Sequence, residues 1–144
     1  MAHKIAGMDR PNSLVTGASS GIGRAFARRL SKEGHDVILV ARRKRRLDEL
    51  AEELGSAHGT QPRVLVADLA KNAELERVAE EISGLPALAM LVNSAGFGTR
   101  ELFSRIDASK PIDMLQLHVM ATVRLARAAL PAMIASGQGT IINV

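Results

Sequence analysis

The hydrophobic positions of the chain fall into five short, continuously apolar runs, separated by longer stretches with helical spacing. The runs cover residues 14–15, 37–40, 64–66, 88–92 and 140–144. Continuous apolar runs, as opposed to alternating ones, are typical of parallel strands that are covered on both faces. The pattern therefore predicts a parallel sheet buried between two layers of helices.

The intervening stretches predict amphipathic helices, because their apolar residues recur every three or four positions. Three such stripes are present: Ile22, Phe26 and Leu30; Leu47, Leu50, Ala51 and Leu54; and Leu75, Val78, Ala79 and Ile82. We expect these helices to stop at Gly34, Gly55 and Gly84, and a longer helix to cover residues 111–135. Strand alternating with helix predicts an α/β, doubly wound fold with right-handed crossovers.

Length and composition restrict the remaining possibilities. The 144 residues suit one domain, here residues 12–144 after a flexible leader of residues 1–11. With no cysteine, the sequence excludes disulfides, thiolate metal sites and thiol nucleophiles, and the scattered histidines predict no metal site. No apolar run reaches ~18–20 residues and no secretory signal is present, which predicts a cytoplasmic chain without a membrane helix.

A glycine-rich turn stands between the first strand and the first helix, at residues 16–23, Thr-Gly-Ala-Ser-Ser-Gly-Ile-Gly. Glycine at these points lets the chain turn tightly, brings backbone close to a pyrophosphate and packs helix against sheet. The helix N-terminus then offers free N–H groups to the phosphates. The position of the turn within a βαβ unit predicts a nucleotide site.

These residues resemble a known family. The turn is similar to the cofactor turn of the short-chain dehydrogenase/reductase family, and residues 93–96, Asn-Ser-Ala-Gly, resemble its Asn-Asn-Ala-Gly motif. Asp68 matches the acidic residue that contacts adenine in the family, and residues 130–133 and 139–144 resemble the approach to its fifth strand. The resemblance covers residues ~12 to 144. It implies a Rossmann-like sheet of order 3-2-1-4-5, truncated after the fifth strand.

The resemblance also implies which residues bind the dinucleotide. Each group is assigned a part of the cofactor: Gly17, Ser19, Ser20, Gly21, Ile22 and Gly23 for the pyrophosphate; Arg42 and Arg43 for a 2′-phosphate; Asp68 and Leu69 for the adenine; and Asn93, Ala95 and Gly96 for the ribose and the approach to nicotinamide.

Charge favours NADP(H) over NAD(H). Residues 1–46 hold eleven Lys and Arg against three Asp and Glu, a net charge of +8, whereas residues 47–144 have a net charge of −4. Dinucleotide folds that prefer NAD place an acid after the second strand, but here Arg42 and Arg43 follow it. Lys44, Arg45 and Arg46 read better as the solvated start of a helix. A nucleic-acid role for the run is disfavoured, because it lacks interleaved aromatic residues.

The family's catalytic serine, tyrosine and lysine follow its fifth strand, and this sequence ends at Val144 and contains no tyrosine. The chain alone is therefore expected to be inactive. His118 stands where the family has a helix asparagine. It is read first as an interior histidine and alternatively as a surrogate relay residue in a longer parent.

The resulting hypothesis is the NADP(H)-binding part of a short-chain oxidoreductase, whose full-length parent acts on a small carbonyl or alcohol. A non-catalytic nucleotide-binding or interaction module of this length, and a remnant without selected function, are the alternatives. The open fifth strand and the apolar side of the preceding helix predict self-association. Neither a nucleic acid nor a membrane is expected as a partner.

Overall fold

The computed structural model describes residues 10–85 and 88–144, so most of the predicted leader lies outside the described residues. The elements alternate between strand and helix along the chain, as the pattern of apolar runs predicts. They are β1 (Asn12–Thr16), α1 (Gly21–Lys32), β2 (Asp36–Ala41), α2 (Lys44–His58), β3 (Arg63–Val66), α3 (Asn72–Ser83), β4 (Leu88–Asn93), α4 (Ser109–Leu115), a π-helical turn (Gln116–Met120), α5 (Ala121–Ser136) and β5 (Thr140–Asn143).

The five strands form one parallel sheet in the order β3-β2-β1-β4-β5, which confirms the predicted Rossmann-like topology. β1 lies at the centre, with Thr16 level with Val40 of β2 and Val15 level with Val92 of β4. The carboxyl ends of β1, β2 and β4 therefore meet at one edge of the sheet. Ligands of open α/β sheets bind at this edge, where the strand order reverses.

Successive strand residues point to opposite faces, and each face is buried under its own pair of helices. Leu14, Ile38 and Leu91 pack with α3 and α5, whereas Val15 and Leu39 pack with α1 and α2. The continuous apolar runs thus have the predicted cause, because both faces of the sheet are covered. The packing of these strands between two helix layers holds the carboxyl-end edge of the sheet in place.

Two details of the first helix predictions differ from the structure. Ile22 is 56% exposed, and α1 instead buries the smaller residues Gly23 and Ala27. Helix α2 does not stop at Gly55 but continues to His58, since an interior glycine weakens a helix without ending it. It ends at Gly59, whose φ of +63° suits glycine.

The long helix is also slightly longer than predicted and is interrupted. It runs continuously over Ser109–Ser136, with the π-helical turn between α4 and α5. One side packs on α3 and the sheet through buried residues, which are Leu117, Ala121, Leu125, Ala128, Ala129 and Met133. The other side carries exposed apolar residues, which are Ile112, Leu115, Val119, Met120, Val123, Leu130 and Ile134.

Among the described residues, Ser109–Ser136 has the length and composition to cross a membrane, with a mean hydropathy of 1.3 over its most apolar window. Exclusion of a membrane helix from the lengths of apolar runs was therefore too strong. The helix is weak evidence for a membrane by itself, because core helices of globular proteins satisfy the same test. The cytoplasmic location stays a prediction.

The open strand edge and the apolar stripe of the long helix lead to a prediction about association. β5 pairs only with β4 in the described sheet, and Val123 and Ile134 are 62% and 73% exposed. Open strand edges and contiguous apolar patches both favour contact with another chain. We expect light scattering to give a mass above that of the monomer, rising with protein concentration.

Two variants distinguish the surfaces that associate. Val123→Glu with Ile134→Glu should reduce the mass if the helix stripe mediates the contact, whereas Thr140→Lys, which places a charge on the exposed edge strand, should reduce it if the strand edge does. A constant monomer mass over a wide concentration range would contradict the prediction for both surfaces.

Candidate dinucleotide site

Two glycines, Gly17 and Gly23, shape the turn after β1, because neither position has room for a side chain. Gly17 has a φ of +67°, and a Cβ there would lie 2.6 Å from the carbonyl oxygen of Ser94. Gly23 is buried, and a Cβ there would lie 2.5 Å from the carbonyl oxygen of Gly17. The turn is therefore pressed between the start of α1 and the loop after β4.

Gly21 has the opposite environment. Its φ is +55°, and a Cβ there would have no atom within 4 Å. Its backbone consequently faces open space at the N-terminus of α1. Ser20, the N-cap residue of this helix, makes no side-chain hydrogen bond to the first turn. The first N–H groups of α1 thus have no capping side chain, which is the arrangement that suits a phosphate.

Thr16 connects the turn to β4, although it was not among the residues predicted for the site. Its buried hydroxyl oxygen accepts hydrogen bonds from the N–H groups of Ser94 and Ala95, both at 3.0 Å. The sequence signal was available, since this threonine is the first residue of the glycine-turn motif. The bonds fix the loop after β4 as the second wall of the site.

The two arginines after β2 differ in their partners. The guanidinium of Arg43 donates to the hydroxyl of Ser19 at 2.9 Å and to that of Ser20 at 2.8 Å. Arg42 is exposed and lines the same cleft, and within the described part of the chain it forms no side-chain hydrogen bond or ion pair. The next two cations pair along α2, Lys44 with Asp48 and Arg45 with Glu49, as the solvated-helix interpretation implies.

Asp68 lies at the carboxyl end of β3, where the loop is held by the first turn of α3. Its backbone N–H donates to the carboxylate of Glu74 at 2.7 Å. That bond lowers the pKa of Glu74 below its ordinary value. The Asp68 carboxylate accepts the N–H of Ala70 at 3.2 Å and lines the cleft. Leu69 is only 4% exposed, so it mainly packs in the core below the cleft.

Asn93 does not reach the cleft. It is 4% exposed, and its side-chain nitrogen donates to the side-chain oxygen of Asn143 at 2.9 Å. Its main-chain oxygen accepts the N–H of Val144 at 3.0 Å. Asn93 thus joins β4 to β5 through its side chain and is not among the residues that line the cleft, and its contact with a ribose stays a prediction. Ala95 and Gly96 do line the cleft.

His118 is exposed at the cleft, so its interpretation as an interior histidine is wrong. It lies in the π-helical turn, and its Nε2 is 2.8 Å from the carbonyl oxygen of Phe97. The ring covers Gly96 so closely that a Cβ there would lie 2.6 Å from it. Turns of this kind are frequent at functional sites, because the extra residue redirects a side chain. His118 thereby holds the loop after β4.

Together these residues surround a cleft of about 490 Å³ at the carboxyl-end edge of the sheet. This is within the usual size of sites for small molecules and cofactors. The predicted residues that line it are Gly17, Ser19, Ser20, Gly21, Ile22, Arg42, Arg43, Asp68, Leu69, Ala95, Gly96 and His118. Further lining residues, which the sequence did not single out, are Val40, Ala41, Ala67, Ser94, Leu117 and Val144. Within residues 10–85 and 88–144, no cluster of three or more His, Asp or Glu could hold a metal.

Comparison with known proteins is consistent with this site. The family model described as short chain dehydrogenase matches residues 12–144. The chain belongs to the short-chain dehydrogenase family. The very-long-chain 3-oxoacyl-CoA reductase of Anas platyrhynchos is 34% identical over 137 residues, with 92% of this chain and 44% of that protein covered.

Solved structures of the family superpose closely on this short-chain dehydrogenase chain. A short-chain dehydrogenase from Sphingobium yanoikuyae in complex with NADPH has a TM-score of 0.87 and 39% identity, covering 91% of this chain and 52% of its own. The L-sorbose reductase from Gluconobacter frateurii, complexed with NADPH and L-sorbose, has a TM-score of 0.84 and 38% identity, with 94% and 52% covered. The chain spans about half the length of the relatives it matches.

The close approach at Gly23 gives a prediction for stability. Gly23→Ala should lower the free energy of unfolding by about 1–3 kcal/mol, because the methyl group collides with the Gly17 backbone and the turn must shift. Gly98→Ala is the matched control, since a Cβ there meets no atom within 4 Å. Thermal and urea denaturation measure both variants. Equal stability of the two would contradict the packing described here.

Proposed function

We propose that this chain is the NADP(H)-binding part of a short-chain oxidoreductase. The observation that carries the proposal is the cleft itself: an uncapped helix N-terminus beside Gly21 at one side, and at the other the guanidinium of Arg42, which has no hydrogen-bond or ion-pair partner among the described residues. The first suits a pyrophosphate and the second a 2′-phosphate. The NADPH complexes of two structural relatives support the choice of cofactor.

The described residues fit such a cofactor part by part. Gly17, Ser19, Ser20, Gly21 and Ile22 would cradle the pyrophosphate, above the packing contact made by Gly23. Arg42 and Arg43 would supply positive charge for the 2′-phosphate. Asp68 and Leu69 would border the adenine. Ala95 and Gly96 would border the ribose and the path to nicotinamide.

When bound, the nicotinamide supplies hydride transfer to or from a small carbonyl or alcohol, which we propose for the whole protein only. Within the chain, His118 would orient the loop after β4 beside the nicotinamide end of the cleft through its contact with Phe97. Neither the fold nor the comparisons favour a non-catalytic module. Substrate choice is a property of the whole protein that these residues do not determine.

The proposed function predicts a preference between the two cofactors. NADPH should bind more tightly than NADH by about 1.5–3 kcal/mol, roughly ten- to hundredfold, because the additional phosphate meets arginine through charge-assisted hydrogen bonds. Arg42→Asp should abolish or invert this preference. Isothermal titration calorimetry with both cofactors measures it, with Arg46→Asp as the charge-matched control. Equal affinities of the unsubstituted chain for both cofactors would refute the assignment.

A further prediction concerns catalytic turnover by these 144 residues alone. The sequence contains no tyrosine, which the resemblance implies as the family's acid and base. General acid–base catalysis typically contributes ~10²–10⁴-fold, so NADPH oxidation with aldehydes or ketones should stay at the uncatalysed rate. The rate is measured by the absorbance of the reduced nicotinamide. Mass spectrometry of the intact protein first checks that the chain in the sample ends at Val144. Ordinary enzymatic turnover would show that another group donates the proton.

A further inference from the structure

Arg43 joins two loops that the chain separates by a whole strand and helix. It is the N-cap residue of α2, two residues after the end of β2, yet its side chain reaches the turn between β1 and α1. Its Nη2 donates to the hydroxyls of Ser19 and Ser20 at 2.9 Å and 2.8 Å, and its Nε donates to Ser19 at 3.2 Å. One guanidinium edge therefore holds both hydroxyls of the turn.

This contact explains why Ser20 behaves unusually for its position. Ser20 has the extended backbone of an N-cap residue, with φ −166° and ψ 169°. Serine at this position normally accepts a hydrogen bond from the second or third N–H of the helix. The Ser20 hydroxyl makes no such bond and instead accepts from Arg43. The first helical hydrogen bond runs from the Arg24 N–H to the Ser20 carbonyl, at 3.2 Å.

We propose that Arg43 is a positioning residue that keeps the N-terminus of α1 open for phosphate. By holding the hydroxyls of Ser19 and Ser20, it prevents Ser20 from capping the helix, so the N–H groups of Ile22 and Gly23 remain available to a ligand. This inference rests on the proposed function and deepens it. It assigns Arg43 a role toward the pyrophosphate that is separate from any charge it offers to a 2′-phosphate.

ADP is the appropriate probe, because it carries the pyrophosphate but neither a 2′-phosphate nor a nicotinamide. In Arg43→Gln the Ser20 hydroxyl is released to cap α1 and competes with the phosphates. The Kd for ADP should rise about fivefold or more, because the free energy of one capping hydrogen bond corresponds to a change of about that size. Arg45→Gln removes the same charge from the same turn of α2, where Arg45 is 89% exposed, and should leave the Kd unchanged.

Two further variants separate positioning from charge and from folding. Arg43→Lys keeps the charge but cannot bridge both hydroxyls as the guanidinium does, so it should also weaken ADP binding. Ser20→Ala removes the competing cap, so Arg43→Gln in that background should change the Kd less than twofold. An unchanged Kd in Arg43→Lys, or an equal loss in both backgrounds, would overturn the inference.

Hydrogen exchange tests the same inference without any nucleotide. Capping by Ser20 protects the amides that it accepts, so the N–H groups of Ile22 and Gly23 should exchange more slowly in Arg43→Gln than in the unsubstituted chain. Arg45→Gln should not change them. Equal or faster exchange in Arg43→Gln would overturn the role of Arg43. If the unsubstituted chain binds neither ADP nor NADPH, the proposed function fails, and exchange alone decides the role of Arg43.

Discussion

The site depends on the contact between three backbone segments at the carboxyl ends of β1 and β4. Gly23 packs on Gly17, Gly17 packs on Ser94, and Thr16 holds the same loop through two N–H groups. At Gly17 and at Gly23 the neighbouring backbone lies too close to leave room for a side chain. Because these segments leave two adjacent central strands, any shift of the turn would also shift the loop that forms the opposite wall of the cleft.

The positive charge of the N-terminal third is distributed unevenly around this site. The basic N-terminal third does not present a uniform positive surface, because several of its cations are neutralised within the fold. Arg28 pairs with Glu53 at 2.6 Å, which raises the pKa of Arg28 and lowers that of Glu53. Exposed pairs of this kind add little to stability. Arg42, by contrast, lines the cleft and has no ion-pair partner among the described residues, so its charge is available there to an anion.

The sequence predicted the alternation of strands and helices and the glycine turn because those features depend on local patterns, whereas the sheet order and most of the cleft residues were implied by the resemblance to the family. Continuous apolar runs and a glycine motif are determined by neighbours along the chain. The interior reading of His118 failed for the opposite reason, because a redirected helical side chain depends on tertiary packing, as does the contact of Asn93 with Asn143 that the sequence did not reveal. Ile22 was misplaced because its helix begins at the cleft, so the first apolar position of the stripe faces the site and not the core.

The π-helical turn at residues 116–120 has a consequence for the whole long helix. A residue inserted into an α-helix rotates everything beyond it by about 100°, and the wider turn absorbs that rotation locally. The spacing of the helix residues therefore shifts by one position at the turn: His118 lies within it at the cleft, and Leu125 and Met133 beyond it pack against the core. Deleting a single residue from the turn would restore a regular helix with Leu125 and Met133 still against the core, but it would remove the widened turn that brings His118 to the cleft.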